Sequence, residues 1–280
     1  RDADLDVADE SNQMIVEARL NVMEQQGRTD EFLSLARASG HMMRYARMLV
    51  QTGRIAEAVQ TGLHEFATAA EAHTLVIALH EHGQIDAALR VAEHHLPRSN
   101  SSDRLAEWLR DVAQQQGRRD LALRAAEVAF RSAPTLQSYH AVQDLAGEQW
   151  AQIRPPLLDY LRNKPSGLST QYAEIFLHEN LIDDAIAVVE RGYSYSLLDR
   201  VLAAAVEQRP DWVIAMGTKQ AEDIIDRGKA QHYYTAVQRL ALVRRAYEQT
   251  GRSDDWQSYI KHLRETHGRK HKLMDLLRRM

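Results

Sequence analysis

The sequence predicts an all-α chain, an α-solenoid of about seven to eight degenerate helical hairpins. Three observations predict it. The composition favours helix nearly everywhere: 6 Pro, 13 Gly and 6% aromatic residues in 280, beside abundant Ala, Leu, Glu, Gln and Arg. One turn grammar recurs at the spacing of a two-helix repeat. The residues after four of the turns pair a small side chain with a branched one, as helices need when their ridges enter one another's grooves.

The clearest copy of the unit runs from Gln114 to Pro134. Gly117 closes one helix by taking the left-handed conformation, Asp120 is placed to stabilise the N–H groups that open the next, and Pro134 stops it. The same chemistry recurs at Gln26-Gly27-Arg-Thr-Asp30, Thr52-Gly53-Arg-Ile-Ala56, His82-Gly83-Gln-Ile-Asp86, Glu179-Asn180-Leu-Ile-Asp183 and Thr250-Gly251-Arg-Ser-Asp254. Weaker copies fit at Gly147-Glu-Gln-Trp150 and around Gln208-Arg-Pro210-Asp211, which gives successive intervals of 26, 30, 34, 30, 33, 28 and 43 residues.

Six residues beyond these turns lie Leu33, Val59, Leu89, Leu123, Ile153, Ile186 and Ile214. One position earlier stand Ala58, Ala88, Ala122 and Ala185. The preceding helices are apolar at helical spacing too, in Tyr45, Met48 and Leu49, in Leu75, Val76 and Leu79, and in Leu105, Trp108, Leu109 and Val112.

This pattern resembles the tetratricopeptide repeat. Counting from the turn glycine, the family's small residue falls on Ala122 or Ala88 and its closing proline on Pro134, whereas its aromatic position is Ala126 or Ala92. The resemblance implies a right-handed superhelix whose first helices line a concave groove. That groove would expose Arg47, His73, Ile77, His80, Arg104, Glu107, Asp111 and Gln114. The lysine and asparagine pattern with which some members clamp a peptide's terminal carboxylate is not seen.

Two stretches break the register. Arg154-Pro155-Pro156 predicts a helix start or kink, and Asn163 to Thr170 a loop between hairpins, with a modest change of superhelix direction near 154–168. The expected division is therefore 1–153 and 154–280, two halves of one continuous solenoid, the second ending in a basic capping helix. Residues 217–250 read as a longer final hairpin with Tyr233, Val237, Leu240 and Leu242 among its apolar positions.

Tyr233-Tyr234, Leu240, Ala246-Tyr247, Gly251, Trp256, Tyr259, Leu263, His267, Arg269-Lys270 and Leu273-Met274 resemble the C-terminal end of bacterial SWIM zinc-finger proteins. The resemblance implies that the chain is the helical C-terminal region of a larger protein. The family's Cys-x-Cys and Cys-x-His ligands are absent, so no zinc site carries over. The first residue, Arg1, agrees with a processed chain or a piece of a longer one.

The formal charge of −4 argues against wholesale nucleic-acid binding, but it averages unlike ends. Asp2, Asp4, Asp6, Asp9 and Glu10 crowd the start; Lys261, Arg264, Arg269, Lys270, Lys272, Arg278 and Arg279 face only Glu265 and Asp275 at the end. With no cysteine there is no disulfide framework, thiol nucleophile or cysteine-ligated zinc, and a cytoplasmic address is the expectation. No apolar run approaches the ~18 residues of a membrane span, so no membrane partner is expected.

The 13 histidines raise a metal reading. His73 and His80 lie seven apart, His94 and His95 are adjacent, and His267 and His271 have i, i+4 spacing, yet no His-Glu-x-x-His occurs. Asp2, Asp4 and Asp6 begin like a calcium loop, but Val7 holds the glycine position and Gln13 the closing one, so the reading is a solvated acidic cap on the first helix. No phosphate loop, nucleophile elbow or activated nucleophile is present. The chain is therefore read as a non-catalytic scaffold without cofactor or metal, whose partner is a protein or peptide. The alternative is a module of a nucleic-acid-associated complex, with Arg264, Arg269, Lys270 and Lys272 as phosphate contacts, indirect contact remaining open. The same tail also reads as a solvated helix face opposite Trp256, Tyr259, Ile260, Leu263, Leu273, Leu276 and Leu277.

Overall fold

The recurring turn is a Schellman motif. Gly27, Gly53, Gly83, Gly117 and Gly251 have φ of 67, 75, 72, 69 and 69°, and Asn180, the non-glycine copy, has φ of 55°. The next residue's N–H reaches five residues back, as in Arg54 N to Leu49 O at 2.8 Å, Arg118 N to Ala113 O at 2.8 Å and Leu181 N to Phe176 O at 2.8 Å. That same residue then opens the following helix, because its carbonyl accepts from the buried alanine: Ala58 N to Arg54 O at 3.1 Å, Ala122 N to Arg118 O at 3.0 Å, Ala185 N to Leu181 O at 3.1 Å. One residue thus ends one helix and starts the next.

The computed structural model describes residues 2–100, 104–164, 172–192 and 194–280, with side chains from residue 13 onward except at 195. The acidic opening from Asp2 to Glu10 is helical in backbone, but its side chains lie outside the described residues, as do positions 165–170 of the expected loop. Among the described residues every regular element is a helix. The hairpins are α1 (Asp2–Gln25) with α2 (Thr29–Ala38), α3 (Met42–Gln51) with α4 (Ile55–His64), and α5 (Ala69–Glu81) with α6 (Ile85–His95). Next come α7 (Leu105–Gln115) with α8 (Arg119–Ser132), then α9 (Leu136–Ala146) and α10 (Trp150–Arg162), and α11 (Ala173–His178) with α12 (Ile182–Arg191). The chain finishes with α13 (Tyr195–Ala205), α14 (Pro210–Asp226), α15 (Tyr233–Gln249), α16 (Ser253–His267) and α17 (His271–Arg279).

Two compact units result, Arg1–Pro156 and Leu157–Met280. The division falls inside α10, so Pro155 and Pro156 lie in a helix interior rather than at its start, which is Trp150. In the first unit α3 packs on α5, α5 on α7 and α4 on α6, so that like helices of successive hairpins lie side by side. The core is the expected one: Ala58, Ala88, Ala122 and Ala185 are fully buried, and Leu33, Val59, Leu89, Leu123, Ile186 and Ile214 are buried beside them. Ile153 is only half-buried. A 3-10 turn at Gly147–Gln149 shifts the start of α10, and Leu157, Leu158 and Leu161 take the core face instead.

Two further sequence expectations need correction. Asp120 lies within the first turn of α8 and makes no capping hydrogen bond, because Arg118 holds the N-cap position through its main chain. Its neighbours in register do other work. Arg118, directly after Gly117, pairs with Asp86, three after Gly83. Arg209, after Gln208, pairs with Asp183, three after Asn180, with Nε to Oδ1 at 2.6 Å. Arg252, after Gly251, pairs with Asp211, three after Gln208, at 2.7 Å. An arginine opening one hairpin's second helix therefore bridges to the carboxylate of the helix before it in the same register. These pairs are exposed, so solvent screening leaves each a weak contributor to stability. The second correction concerns the tail, where residues 253–279 form two helices, α16 and α17, separated at 268–270. Leu273 and Leu277 fold α17 back onto α15, and Leu242 is half-buried while Val243 takes the core position.

His95, at the end of α6, is fully buried. Its Nε2 donates to Gly62 O of α4 at 2.8 Å, and its Nδ1 faces Arg98 Nη1 at 3.3 Å, which fixes the neutral ring. Burial lowers its pKa below the ordinary 6.5; the nearby His94 and Arg98 charges add to this, while the Gly62 hydrogen bond and Glu71 oppose it. The unfolded chain takes this proton more readily, so the contribution is complete above pH 6.5 and is lost as pH falls toward the depressed folded value. The urea midpoint should drop between pH 7 and pH 5.5 less steeply in His95→Gln, whose amide still donates to Gly62, than in the native chain. Identical slopes would contradict this assignment.

Candidate partner-binding face

The first helices of successive hairpins, α3, α5 and α7, place the residues expected to line a groove. Arg47 is exposed on α3, between Met43 and Gln51 on one helical stripe. Met43 is 46% exposed, and Arg47 makes no ion pair among the described residues. His73, Ile77 and His80 form an i, i+4, i+7 row along α5, but all three are half-buried. The exposed ridge of α5 is instead Ala70, Thr74 and Glu81.

The partial burial of His80 has a definite cause. Its ring meets the edge of Trp108 on α7, with centroids 5.6 Å apart and an interplanar angle of 76°. Glu107, Asp111 and Gln114 form the exposed row of α7. Arg104 stands just before that helix, with φ of 58°, and its Nε lies 3.6 Å from Glu107. Arg110 Nε contacts Asp111 Oδ1 at 2.7 Å. The structure thus brings together His80 with Trp108, Arg104 with Glu107 and Asp111 with Arg110, while Arg47 stands apart on α3.

The four basic residues expected at phosphates divide into two kinds. Arg264 Nη2 donates to Leu277 O at 3.1 Å and Lys270 Nζ to Ile225 O at 2.6 Å, so both tie helix ends together. Arg269 and Lys272 are exposed and make no ion pair among the described residues. His267 lies 3.6 Å from Asp226, and burial, with the charge of Lys270, lowers its pKa.

The fold and this face define an all-α helical-repeat protein. No protein-family model matches the chain, and no curated protein matches it. No helix among the described residues is long and apolar enough to cross a membrane.

Proposed function

We propose that the chain is a non-catalytic scaffold that binds a protein or peptide partner across α3, α5 and α7. The observation that carries this reading is the polar ridge on neighbouring first helices, with exposed Arg47 on α3 and the Arg104–Glu107 and Arg110–Asp111 pairs on α7, beside the half-buried Trp108 and Ile77. Such a surface offers an extended partner a cation and exchangeable ion pairs, with apolar contact beside them. The reading includes a cytoplasmic address and a place as the helical C-terminal region of a larger SWIM-type zinc-finger protein. Finding the Cys-x-Cys and Cys-x-His pairs upstream of Arg1 in the parent protein would support that last part, and a parent lacking them would remove it.

The combined variant Arg47→Glu, Asp111→Lys tests the face, because both side chains are exposed and His80 keeps its packing role. A partner recovered with the native chain should be lost, while the melting temperature moves by less than ~2 °C. Retained binding would move the site elsewhere. The second reading, a nucleic-acid-associated module, is favoured by the exposed cations Arg269 and Lys272. It requires affinity that falls steeply with salt and weakens in Arg269→Glu, Lys272→Glu.

A further inference from the structure

The turn between α14 and α15 encloses a cavity of about 230 Å³, lined by Ile224, Arg227, Lys229, His232, Thr235 and Arg239. Four of these six residues carry basic groups and none is acidic. They come from three successive pieces of chain, the end of α14, the 3-10 turn Ala230–His232 and the first turns of α15. Arg239 is 1% exposed and forms the floor, while Arg227, Lys229 and His232 are exposed at the rim.

Among the described residues the one ion pair within this arrangement is that of Arg239 with Asp199. The acidic residues of α14 turn away, since Glu222, Asp223 and Asp226 line a separate groove with Ile214 and Tyr247. Asp199 takes the Nε–H of Arg239 at 2.6 Å and orients the guanidinium. Arg227 and Lys229 form no ion pair among the described residues. The first turn of α15, which contributes Thr235, is the positive end of a 17-residue helix. The opposing carbonyl end of α14 is neutralised in part by Lys270, whose ammonium donates to Ile225 O.

We infer that this cavity binds a phosphomonoester. Several cations converging on a small space favour a dianion over a carboxylate, and the guanidinium fork matches phosphate oxygens in shape. The volume is below the ~300 Å³ at which pockets take up drug-sized ligands, so it receives the phosphate group while the rest of the molecule stays outside. Ile224 and Thr235 supply one short apolar wall and one hydroxyl. The source is a small phosphorylated metabolite or a phosphorylated side chain; both present the same terminal group.

The test is amide chemical-shift titration of the full chain with inorganic phosphate at constant ionic strength. Saturable shifts confined to residues 224–239 are expected, and Arg227→Gln, Lys229→Gln should weaken them at least about tenfold. Both substituted side chains are exposed, so unfolding should not confuse the outcome, and an unchanged melting temperature confirms this. Arg239→Lys keeps a buried cation but loses the fork, and should also weaken binding. Glycerol 3-phosphate and a phosphoserine peptide separate the sources, the tighter of the two naming the physiological class. Shifts reproduced by sodium chloride, or unchanged in the double variant, would overturn the assignment.

Discussion

Replacing Tyr139 by alanine is expected to destabilise the chain by about 3–5 kcal/mol, the range for deleting a buried aromatic ring. The residue is fully buried in α9, where its ring lies 5.8 Å from Phe130 of α8 and 5.1 Å from Trp150, which opens α10. The three rings join one hairpin to the next. This site cannot collapse easily, because α9 is fixed at both ends. A capping box at its start links Thr135 and Ser138, and at its end Arg119 donates to Leu145 O at 2.8 Å. Tyr139→Phe keeps the ring and should lose far less. Urea titration followed by circular dichroism measures both, and a loss below ~1 kcal/mol for the alanine variant would show that the ring is not the wedge between hairpins.

Gly217→Val should cost about 3 kcal/mol, from overpacking rather than from lost helix propensity. Gly217 lies within α14, where a Cβ would stand 2.6 Å from Val243 Cγ2 of α15. Val243 is fully buried and β-branched, so it has one comfortable rotamer in a helix and cannot turn aside. A smaller neighbour should relieve the clash, and Val243→Ala in the Gly217→Val background should recover part of the loss. Additive losses in that double-mutant cycle would mean that the two helices do not approach at this point.

The turns were legible because their chemistry is local. A left-handed residue needs glycine or asparagine, and both the five glycines and Asn180 announced themselves. Gly40, with φ of 74° and His41 N bonded to Ala36 O at 2.8 Å, has the same chemistry but lies between hairpins, so a search at the repeat period steps over it. Thr68-x-x-Glu71 is a legible capping box that the repeat register did not highlight. The arginine–aspartate bridges were present as a fixed offset between copies, although each copy alone suggested only helix capping. Contacts between distant positions left no such signal. Arg119 satisfying the end of α9 joins residues 26 apart, and Arg239 reads in sequence as an ordinary charged position on a helix. On the candidate face, the repeat resemblance puts His73, Ile77 and His80 in one groove, but the burial of His80 depends on its packing against Trp108, which lies 28 positions on in another helix.

All these readings depend on hairpins that bury their apolar sides against immediate neighbours. Within each unit the principal helix contacts join elements that are adjacent or next but one in the chain. Methyl and aromatic nuclear Overhauser contacts in the 280-residue chain test this most directly. Contacts from Leu49 of α3 should reach α4 and α5, and those from Leu109 of α7 should reach α5, α6 and α8. Methyl contacts joining α2 directly to α8 would contradict the repeat architecture.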